Sequence, residues 1–203
     1  MKGKFVTFEG SEGCGKSTQS RLFYGYLKKK GCRAIYLREP GGTAVSEKIR
    51  KILLDPDNCI SPLCEAMLYM AARAETVKEV IQPALKQGKI VVCDRFLDST
   101  IVYQGFGLGV DTGLIRRLGK IATAGIKPDL TVFLDLPLKQ GLEHRALSKD
   151  RIERRPLSYH RRVRRGYLRL AALEPGRIKI IKVDKDKSKT QEKIRKLAGS
   201  YVF

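Results

Sequence analysis

A glycine-rich segment near the start of the chain has the residue types and spacing that hold phosphates. Residues 10–17 read GSEGCGKS and match the pattern GxxxxGK[S/T] in full. Glycines let the backbone curl so that several N–H groups point at one phosphate, and a following helix N-terminus adds partial positive charge. The segment predicts a nucleoside triphosphate site with a phosphate-binding lysine and a metal-binding serine. Its predicted binding residues are Gly10, Ser11, Glu12, Gly13, Cys14, Gly15, Lys16, Ser17 and Thr18.

Charged side chains also stand where further apolar runs end. Arg38 closes the run RAIYLR, and Asp94 and Arg95 follow the run KIVVC. Asp94 is placed to join a Mg²⁺ shell, and two arginines that converge at one edge can bind a second phosphate. A surface salt bridge is the alternative for either arginine alone. Asp135, at the end of another apolar run, is the rival metal ligand, but the neighbouring arginine favours Asp94.

The elements that must position these residues alternate along the chain. Short β-rich runs followed by longer helical patterns predict a five-stranded, parallel, doubly wound α/β sheet flanked by helices in a single domain, 1–203. Ligands of such sheets bind at the carboxyl ends of the strands, where the charged residues lie. The predicted strands are 4–9, 33–38, 89–93, 129–134 and 177–183. The predicted helices are 16–30, 43–54, 61–87 with a kink or break at Pro83, 111–124, 137–147, 156–173 and 188–201.

Composition narrows the class of protein. No apolar run approaches the length of a membrane span, and the first residues pass directly into a strand, so we expect no membrane segment and no secretory leader. The five cysteines are odd in number and contain no CxxC pair, which favours reduced thiols in a cytoplasmic protein over a disulfide scaffold or zinc ribbon.

The formal net charge of +20 suggests an anionic partner. Its densest part is 151–165, with seven arginines and one acidic residue. A nucleic-acid-binding P-loop protein would interleave aromatics with such bases, but 144–165 contains one aromatic, Tyr159. We therefore expect no nucleic-acid partner. The sequence also lacks an NKxD guanine-reading signature, which disfavours a GTPase switch.

The sequence resembles the thymidylate kinase family, in its bacterial type, among the P-loop nucleoside-monophosphate kinases. The resemblance rests on FEGSEGCGKSTQ, REPGGT, a Tyr69-x-x-x-Arg73 segment, DRFLDSTIVYQG, and DRIE followed by RVRRGYLRLA. It implies a P-loop NTPase fold and transfer of the ATP γ-phosphate to dTMP with Mg²⁺, in dTTP synthesis. It also implies a cytoplasmic homodimer. The alternatives are a kinase for another deoxynucleotide or deoxynucleoside, and a P-loop nucleic-acid-binding ATPase.

The resemblance assigns roles to individual residues of the acceptor site. Arg38 and Arg95 would meet the substrate phosphate, and Tyr69, where the family usually has Phe, would stack on thymine. Tyr103 would crowd the 2′ position of the sugar and favour deoxyribose. The expected base contacts are Arg73, Ser99, Thr100 and Gln104, and the expected metal ligands are Ser17 and Asp94.

A short arginine-rich lid, about 145–156, would complete the site. Positions 11–14 of the glycine-rich segment carry no basic residue, so the resemblance places the transition-state arginine in the lid instead. Arg151, in DRIE, matches that position best, and Arg145 and Lys149 are the alternatives because the preceding stretch is shorter than usual. The predicted catalytic residues are Lys16, Arg95, Arg145 and Arg151.

Overall fold

A computed structural model describes residues 3–143 and 150–202 of the chain. Its centre is one five-stranded sheet in the order β2-β3-β1-β4-β5, and every neighbouring pair is parallel. The α/β fold with a doubly wound parallel sheet is therefore confirmed. The strands are β1 Lys4–Glu9, β2 Ala34–Arg38, β3 Ile90–Asp94, β4 Leu130–Asp135 and β5 Ile178–Lys182.

The central strand β1 is buried on both faces, as its apolar sequence requires. Val6 pairs in register with Val92 on one side and with Leu130 on the other. Side chains of a strand alternate between faces. Val6 and Phe8 accordingly join the core that includes Phe23, whereas Phe5 joins a separate core. The carboxyl ends of β1 and β3 thus lie side by side at one edge of the sheet.

Helices cover both faces of this sheet. They are α1 Lys16–Lys29, α2 Ala44–Leu54, α3 Pro62–Thr76, α4 Gln82–Lys86, α5 Leu97–Thr100, α6 Thr112–Ala122, α7 Leu138–Glu143, α8 Leu157–Leu173 and α9 Lys187–Val202. Thr43 caps the start of α2, because its Oγ1 accepts a hydrogen bond from the Ser46 amide. Within the described residues, none of the helices combines the length and apolar character that spanning a bilayer demands.

The predicted interruption of the long helix is a short π-helical segment, and the chain stays helical through it. A π-helical segment, Val77–Ile81, joins α3 directly to α4, and Pro83 lies in the first turn of α4. Pro lacks an N–H and cannot complete a regular α-helical ladder, so the change of helical pitch falls immediately before it.

One helix was not predicted from the sequence. Helix α5 continues as a π-helical segment, Ile101–Gly107, that is almost entirely buried. Its run of β-branched and aromatic residues has low helix propensity, but packing against α8 outweighs that preference. This helix faces the carboxyl ends of the strands.

Candidate active site

A cavity of about 230 Å³ opens at the carboxyl ends of β1, β2 and β3. It brings together residues from the glycine-rich loop, the ends of β2 and β3, the helices α2, α3 and α5 with its continuation, and the segment 150–153, although they are up to 141 positions apart in the sequence. Twelve of the predicted site residues line it: Glu12, Lys16, Ser17, Arg38, Tyr69, Arg73, Asp94, Arg95, Ser99, Thr100, Tyr103 and Gln104. We call the part around Lys16, Ser17, Arg38, Asp94 and Arg95 the loop end, and the part around Tyr69, Arg73, Thr100 and Gln104 the helix end.

The glycine-rich loop depends on two close backbone approaches. Gly10 has a φ of +151°, and a Cβ there would lie 2.6 Å from the Leu134 carbonyl oxygen. Gly13, at φ +75°, passes so close to the Gly141 carbonyl that no side chain fits. Lys16, the first residue of α1, is largely buried, and its Nζ donates to the Ser11 carbonyl at 3.0 Å. The remaining predicted loop residues Cys14 and Gly15 complete the turn, whereas Thr18 in the first turn of α1 is exposed.

The two predicted metal ligands are in direct contact. Ser17 Oγ donates a short hydrogen bond to Asp94 Oδ2. Asp94 Oδ1 is buried and has no hydrogen-bond partner in the described part of the chain. An unsatisfied carboxylate oxygen beside a hydroxyl fits a hard cation such as Mg²⁺, which takes oxygen ligands. The rival ligand Asp135 is held by Arg164 through two hydrogen bonds of 2.7 and 2.9 Å, which favours Asp94.

Arg95 is held at the loop end by an acidic residue of the glycine-rich loop. Its guanidinium pairs with Glu12, donates to Ser99 Oγ at 3.1 Å, and lies over the Tyr103 ring. Burial by itself would raise the pKa of the Glu12 carboxyl, but the charges of Arg95 and Lys16 outweigh it and lower the pKa to about 2. Glu12 therefore stays ionised and forms an ion pair with Arg95 in this structure.

Sequence reasoning did not anticipate the contacts of a buried carboxylate, Glu9, that lies behind Arg95. Glu9 accepts hydrogen bonds from the Phe96 amide at 2.8 Å, from the Tyr167 hydroxyl at 2.7 Å, and from Ser99 Oγ. Burial raises the pKa of Glu9 to about 7; Asp98 adds to this shift, and Arg95 opposes it. Tyr167 stands 158 positions from Glu9, and its place in the quoted RRGYLRLA block was the available signal.

This arrangement bears on Ser99, which was expected to contact a base. Its hydroxyl contacts Glu9, Arg95 and Tyr167, three groups at the loop end. In this structure Ser99 braces the guanidinium of Arg95 while it also lines the cavity.

Arg38 also lines the cavity and is partly exposed. Its guanidinium contacts Glu47 Oε2 at 3.2 Å and the Pro40 carbonyl at 3.3 Å. Arg50, which sequence reasoning missed, donates to the same carbonyl at 3.0 Å and also lines the cavity. Burial and the charge of Arg38 lower the pKa of Arg50. The loop end therefore has three arginines, and the position of Arg50 three residues after Glu47 on α2 was the only local signal for the third.

Arg73 is buried at the helix end and paired. Its Nε donates to Glu39 Oε2 at 2.7 Å, and Nη1 donates to Thr100 Oγ1 at 3.1 Å. Both members of the ion pair are 2% exposed. Tyr69, four residues before Arg73 on α3, is half-buried and lines the cavity on the same helix face. The predicted juxtaposition of these two side chains is therefore present in the structure.

The other helix-end residues face the cavity from α5 and its continuation. Gln104 Nε2 donates to Glu65 Oε1 at 2.7 Å, and both residues are buried. Tyr103 is buried as well, and its hydroxyl donates to Glu12 Oε1 at 2.9 Å. Tyr103 thus links the helix end to the glycine-rich loop.

The predicted lid is described in part. Arg145 and Lys149 lie outside the described residues. Arg151 Nε donates to the Leu53 carbonyl at 2.9 Å, and Arg151 Nη2 lies 2.6 Å from Glu65 Oε2. Arg155 Nη2 contacts the same carboxylate oxygen at 2.6 Å. In this structure Arg151 is therefore held at the helix end of the cavity.

Comparison with known proteins agrees with this geometry. A sequence model of the family described as thymidylate kinase matches residues 8–194. The chain is 45% identical over 194 residues to a thymidylate kinase of Thermoanaerobacter sp. (strain X514), covering 92% of this chain and 96% of that protein. It is 50% identical over 185 residues to one of Pelotomaculum thermopropionicum, covering 89% and 86%.

A solved structure extends the comparison to the fold. The crystal structure of thymidylate kinase from Ehrlichia chaffeensis superposes with a TM-score of 0.80 at 32% identity, covering 97% of this chain and 99% of that one. The matched sequence spans the glycine-rich loop, both strand ends and the described part of the lid. The chain therefore belongs to the thymidylate kinase family.

Proposed function

We propose that this chain transfers the γ-phosphoryl group of ATP to dTMP and releases dTDP and ADP. Membership of the family makes the chain a nucleoside-monophosphate kinase, a transferase. The observation that carries the choice of substrates is that one cavity joins the Lys16 loop to a set of arginines and to a polar helix end. One nucleotide would extend its phosphates into the loop end from outside, and the other would occupy the cavity.

The glycine-rich loop would bind the donor phosphates. Its N–H groups and the Lys16 ammonium offset the charge of the β- and γ-phosphates. Ser17 and Asp94 would hold Mg²⁺, which supplies further charge neutralisation when it is bound. Lys16 Nζ donates to the Ser11 carbonyl, so its ammonium points into the loop.

Arg38 and Arg95 would bind the phosphate of dTMP. Both line the cavity, and a guanidinium matches a phosphate through paired N–H groups. Because that phosphate is already an anionic nucleophile, no general base is needed, and the work of the protein is alignment and charge compensation. Arg95 would share its N–H groups between Glu12 and the phosphate.

The helix end would bind the base and sugar. Tyr69 would stack on thymine and Arg73 would donate to a ring carbonyl, while Thr100 and Gln104 would supply the remaining polar contacts. Tyr103 would stand against the 2′ position of the sugar, where its ring leaves no room for a hydroxyl.

The lid would supply the charge that stabilises the transferring phosphoryl group. Arg151 would reach it only after it leaves Glu65, so residues 150–155 would have to move when ATP binds. Arg145 is the second residue proposed for this role. A closed lid would also exclude water, which would otherwise hydrolyse ATP.

The test is ADP release from Mg·ATP with dTMP, dUMP, dCMP, thymidine and DNA as separate acceptors. We expect turnover with dTMP to exceed turnover with dCMP and with thymidine. DNA should have no effect on ADP release. Stimulation by DNA without dTMP turnover would contradict the proposal, and faster turnover of thymidine would indicate a nucleoside kinase.

We also propose that the chain forms a homodimer in the cytoplasm. Exposed apolar side chains on the packed helices α2 and α3 support an interface there; they are Val45, Ile52, Leu63 and Met67. Five unpaired cysteines support a reducing compartment. Sedimentation analysis of the parent protein should give twice the mass of one chain, and Met67→Glu should give the mass of a single chain. A monomeric parent protein would contradict the dimer.

A further inference from the structure

Two helices meet at the helix end through paired polar side chains spaced by one helical turn. Arg73 of α3 donates to Thr100, and Gln104, four residues after Thr100, donates to Glu65, eight residues before Arg73. Tyr69 lies midway between Glu65 and Arg73 on the same face of α3. Each polar pair therefore flanks the position where a planar base would stack on Tyr69.

Of these five residues, which are Glu65, Tyr69, Arg73, Thr100 and Gln104, only Glu65 does not line the cavity. Its side chain is fully buried. Oε1 accepts from Gln104 Nε2 at 2.7 Å, and Oε2 lies 2.6 Å from the guanidinium groups of both Arg151 and Arg155. Two guanidinium groups are thus paired with one buried carboxylate, which compensates the cost of its burial.

An ionised carboxylate accepts hydrogen bonds and cannot donate them. Gln104 must therefore turn its NH₂ group to Glu65, and a flip of the amide would bring two oxygens together. Since Gln104 also lines the cavity, the amide oxygen is the atom left for a ligand. The carboxylate thus decides which end of the amide a base would meet.

We propose that Glu65 is a positioning residue that selects the base through Gln104. This inference rests on the proposed function. With its amide oriented by Glu65, Gln104 presents an acceptor, and Arg73 beside it presents only donors. A pyrimidine with a carbonyl at position 4 and an N–H at position 3 complements this pair. A 4-aminopyrimidine offers the reverse, an amino donor to Arg73 and a lone pair to the Gln104 oxygen, and is repelled at both atoms.

The test compares dTMP with the 5-methylcytosine deoxynucleotide, which keeps the methyl group, sugar and phosphate and differs only at ring positions 3 and 4. The readout is the ratio of kcat/KM values for the two substrates in the full chain. In Glu65→Gln the neighbouring amide can donate as well as accept, so Gln104 can turn either way. We expect the ratio to fall about tenfold or more, chiefly through a higher KM for dTMP.

A double-mutant cycle shows whether Glu65 acts through Gln104. In a Gln104→Leu background, Glu65→Gln should leave the substrate ratio unchanged, because the amide that it orients is gone. The matched control is Glu174→Gln, which removes a carboxylate paired with Arg177 outside the cavity and should leave the ratio at the parent value.

If Glu65→Gln does not fold, Glu65→Asp decides the question, because it keeps the charge but is one methylene too short to reach both Gln104 and the arginines. An unchanged ratio in a folded Glu65 variant would overturn the inference while the proposed function stands. Parent protein that turns over both nucleotides equally would also overturn it. Parent protein that turns over neither would contradict the proposed function itself, and the inference with it.

Discussion

The two ends of the cavity hold their charged groups by different means. At the loop end, three of the key groups are residues at the boundary of an element: Lys16 begins α1, Arg38 ends β2, and Asp94 ends β3. At the helix end, the groups lie inside helices, and side chains from other elements hold them, as Glu39 holds Arg73 and Glu65 holds Gln104.

This difference separates what each end requires of the fold. Strand ends and helix starts are positioned by backbone hydrogen bonds, so a loop-end side chain can change without unsettling its neighbours. Buried polar pairs are different, because removal of one partner leaves the other charge or donor unsatisfied in the interior. Variants of Lys16, Arg38 and Asp94 should therefore affect activity, whereas variants of the buried pairs at the helix end, and of the carboxylates that surround Arg95, should affect stability as well.

The largest expected effect is on catalysis at the loop end. Lys16→Met removes the ammonium that would neutralise the transferring phosphoryl group, and kcat should fall by on the order of 10³-fold. Steady-state ADP release measures this change, and circular dichroism should show an unaltered fold. The control is Lys193→Met, an exposed lysine paired with Asp184. A loss of less than about tenfold in Lys16→Met would contradict the proposed role.

The next effect is on stability at the helix end. Arg73→Met leaves the Glu39 carboxylate buried without its partner, and the free energy of unfolding should fall by about 3 kcal/mol. Urea unfolding of the ligand-free protein measures it. The double variant Arg73→Met/Glu39→Gln should recover part of the loss, because no uncompensated charge then remains. Equal stability of the Arg73→Met and parent proteins would remove the distinction between the two ends.

Glu9 gives the loop end a pH-dependent contribution to stability. Its folded-state pKa of about 7 lies above the ordinary value of 4.5, so the folded state binds the proton more tightly. The protonated carboxyl therefore favours folding at low pH, and this contribution, about 3 kcal/mol, is lost as the pH rises from about 4.5 through 7. Glu9→Gln should be less sensitive to pH over that range in urea unfolding. Parallel pH profiles of the two proteins would contradict the assignment.

Glu12 provides the opposite case within the same end. Its folded-state pKa of about 2 lies below the ordinary value, so it stabilises the fold above pH 4.5 and loses that contribution only as the pH falls toward 2. Between pH 5 and 8, Glu12→Gln should therefore lower stability by the same amount at every pH. The two carboxylates differ because Glu12 faces Arg95 and Lys16 directly, whereas Glu9 is buried beside Asp98.

The same contrast explains what the sequence could predict. All five strands were located to within one or two residues, because their apolar runs stop at charged or glycine residues. The loop end follows from local pattern: a motif, and charged residues that close strands. Asp94 could be preferred over Asp135 from its neighbour, and the pairing of Asp135 with Arg164 agrees with that choice.

Apart from the spacing of Tyr69 and Arg73, the helix end depends on tertiary contacts that no local pattern records. The segment 97–107 has the composition of a strand and becomes helical by packing against α8. Glu65 and Gln104 are 39 residues apart, and neither has a spacing that marks it as a partner of the other. The arginine-rich segment behaves similarly, because Arg162 donates to the Gly107 carbonyl and Arg155 to Glu65, which are structural contacts within the chain.

The smallest expected effect is a matched substitution at the loop end. Arg38 forms an ion pair with Glu47 in which both side chains are more than a third exposed, at 38% and 43%. Exposed pairs contribute little because water solvates both charges, so Arg38→Met should change the free energy of unfolding by less than about 1 kcal/mol. The same variant should raise the KM for dTMP, because one of the guanidinium groups proposed to bind its phosphate is gone. Arg38→Met should therefore impair activity with little change in the free energy of unfolding, whereas Arg73→Met should lower the free energy of unfolding. A loss of stability in Arg38→Met as large as that in Arg73→Met would contradict the difference between the two ends.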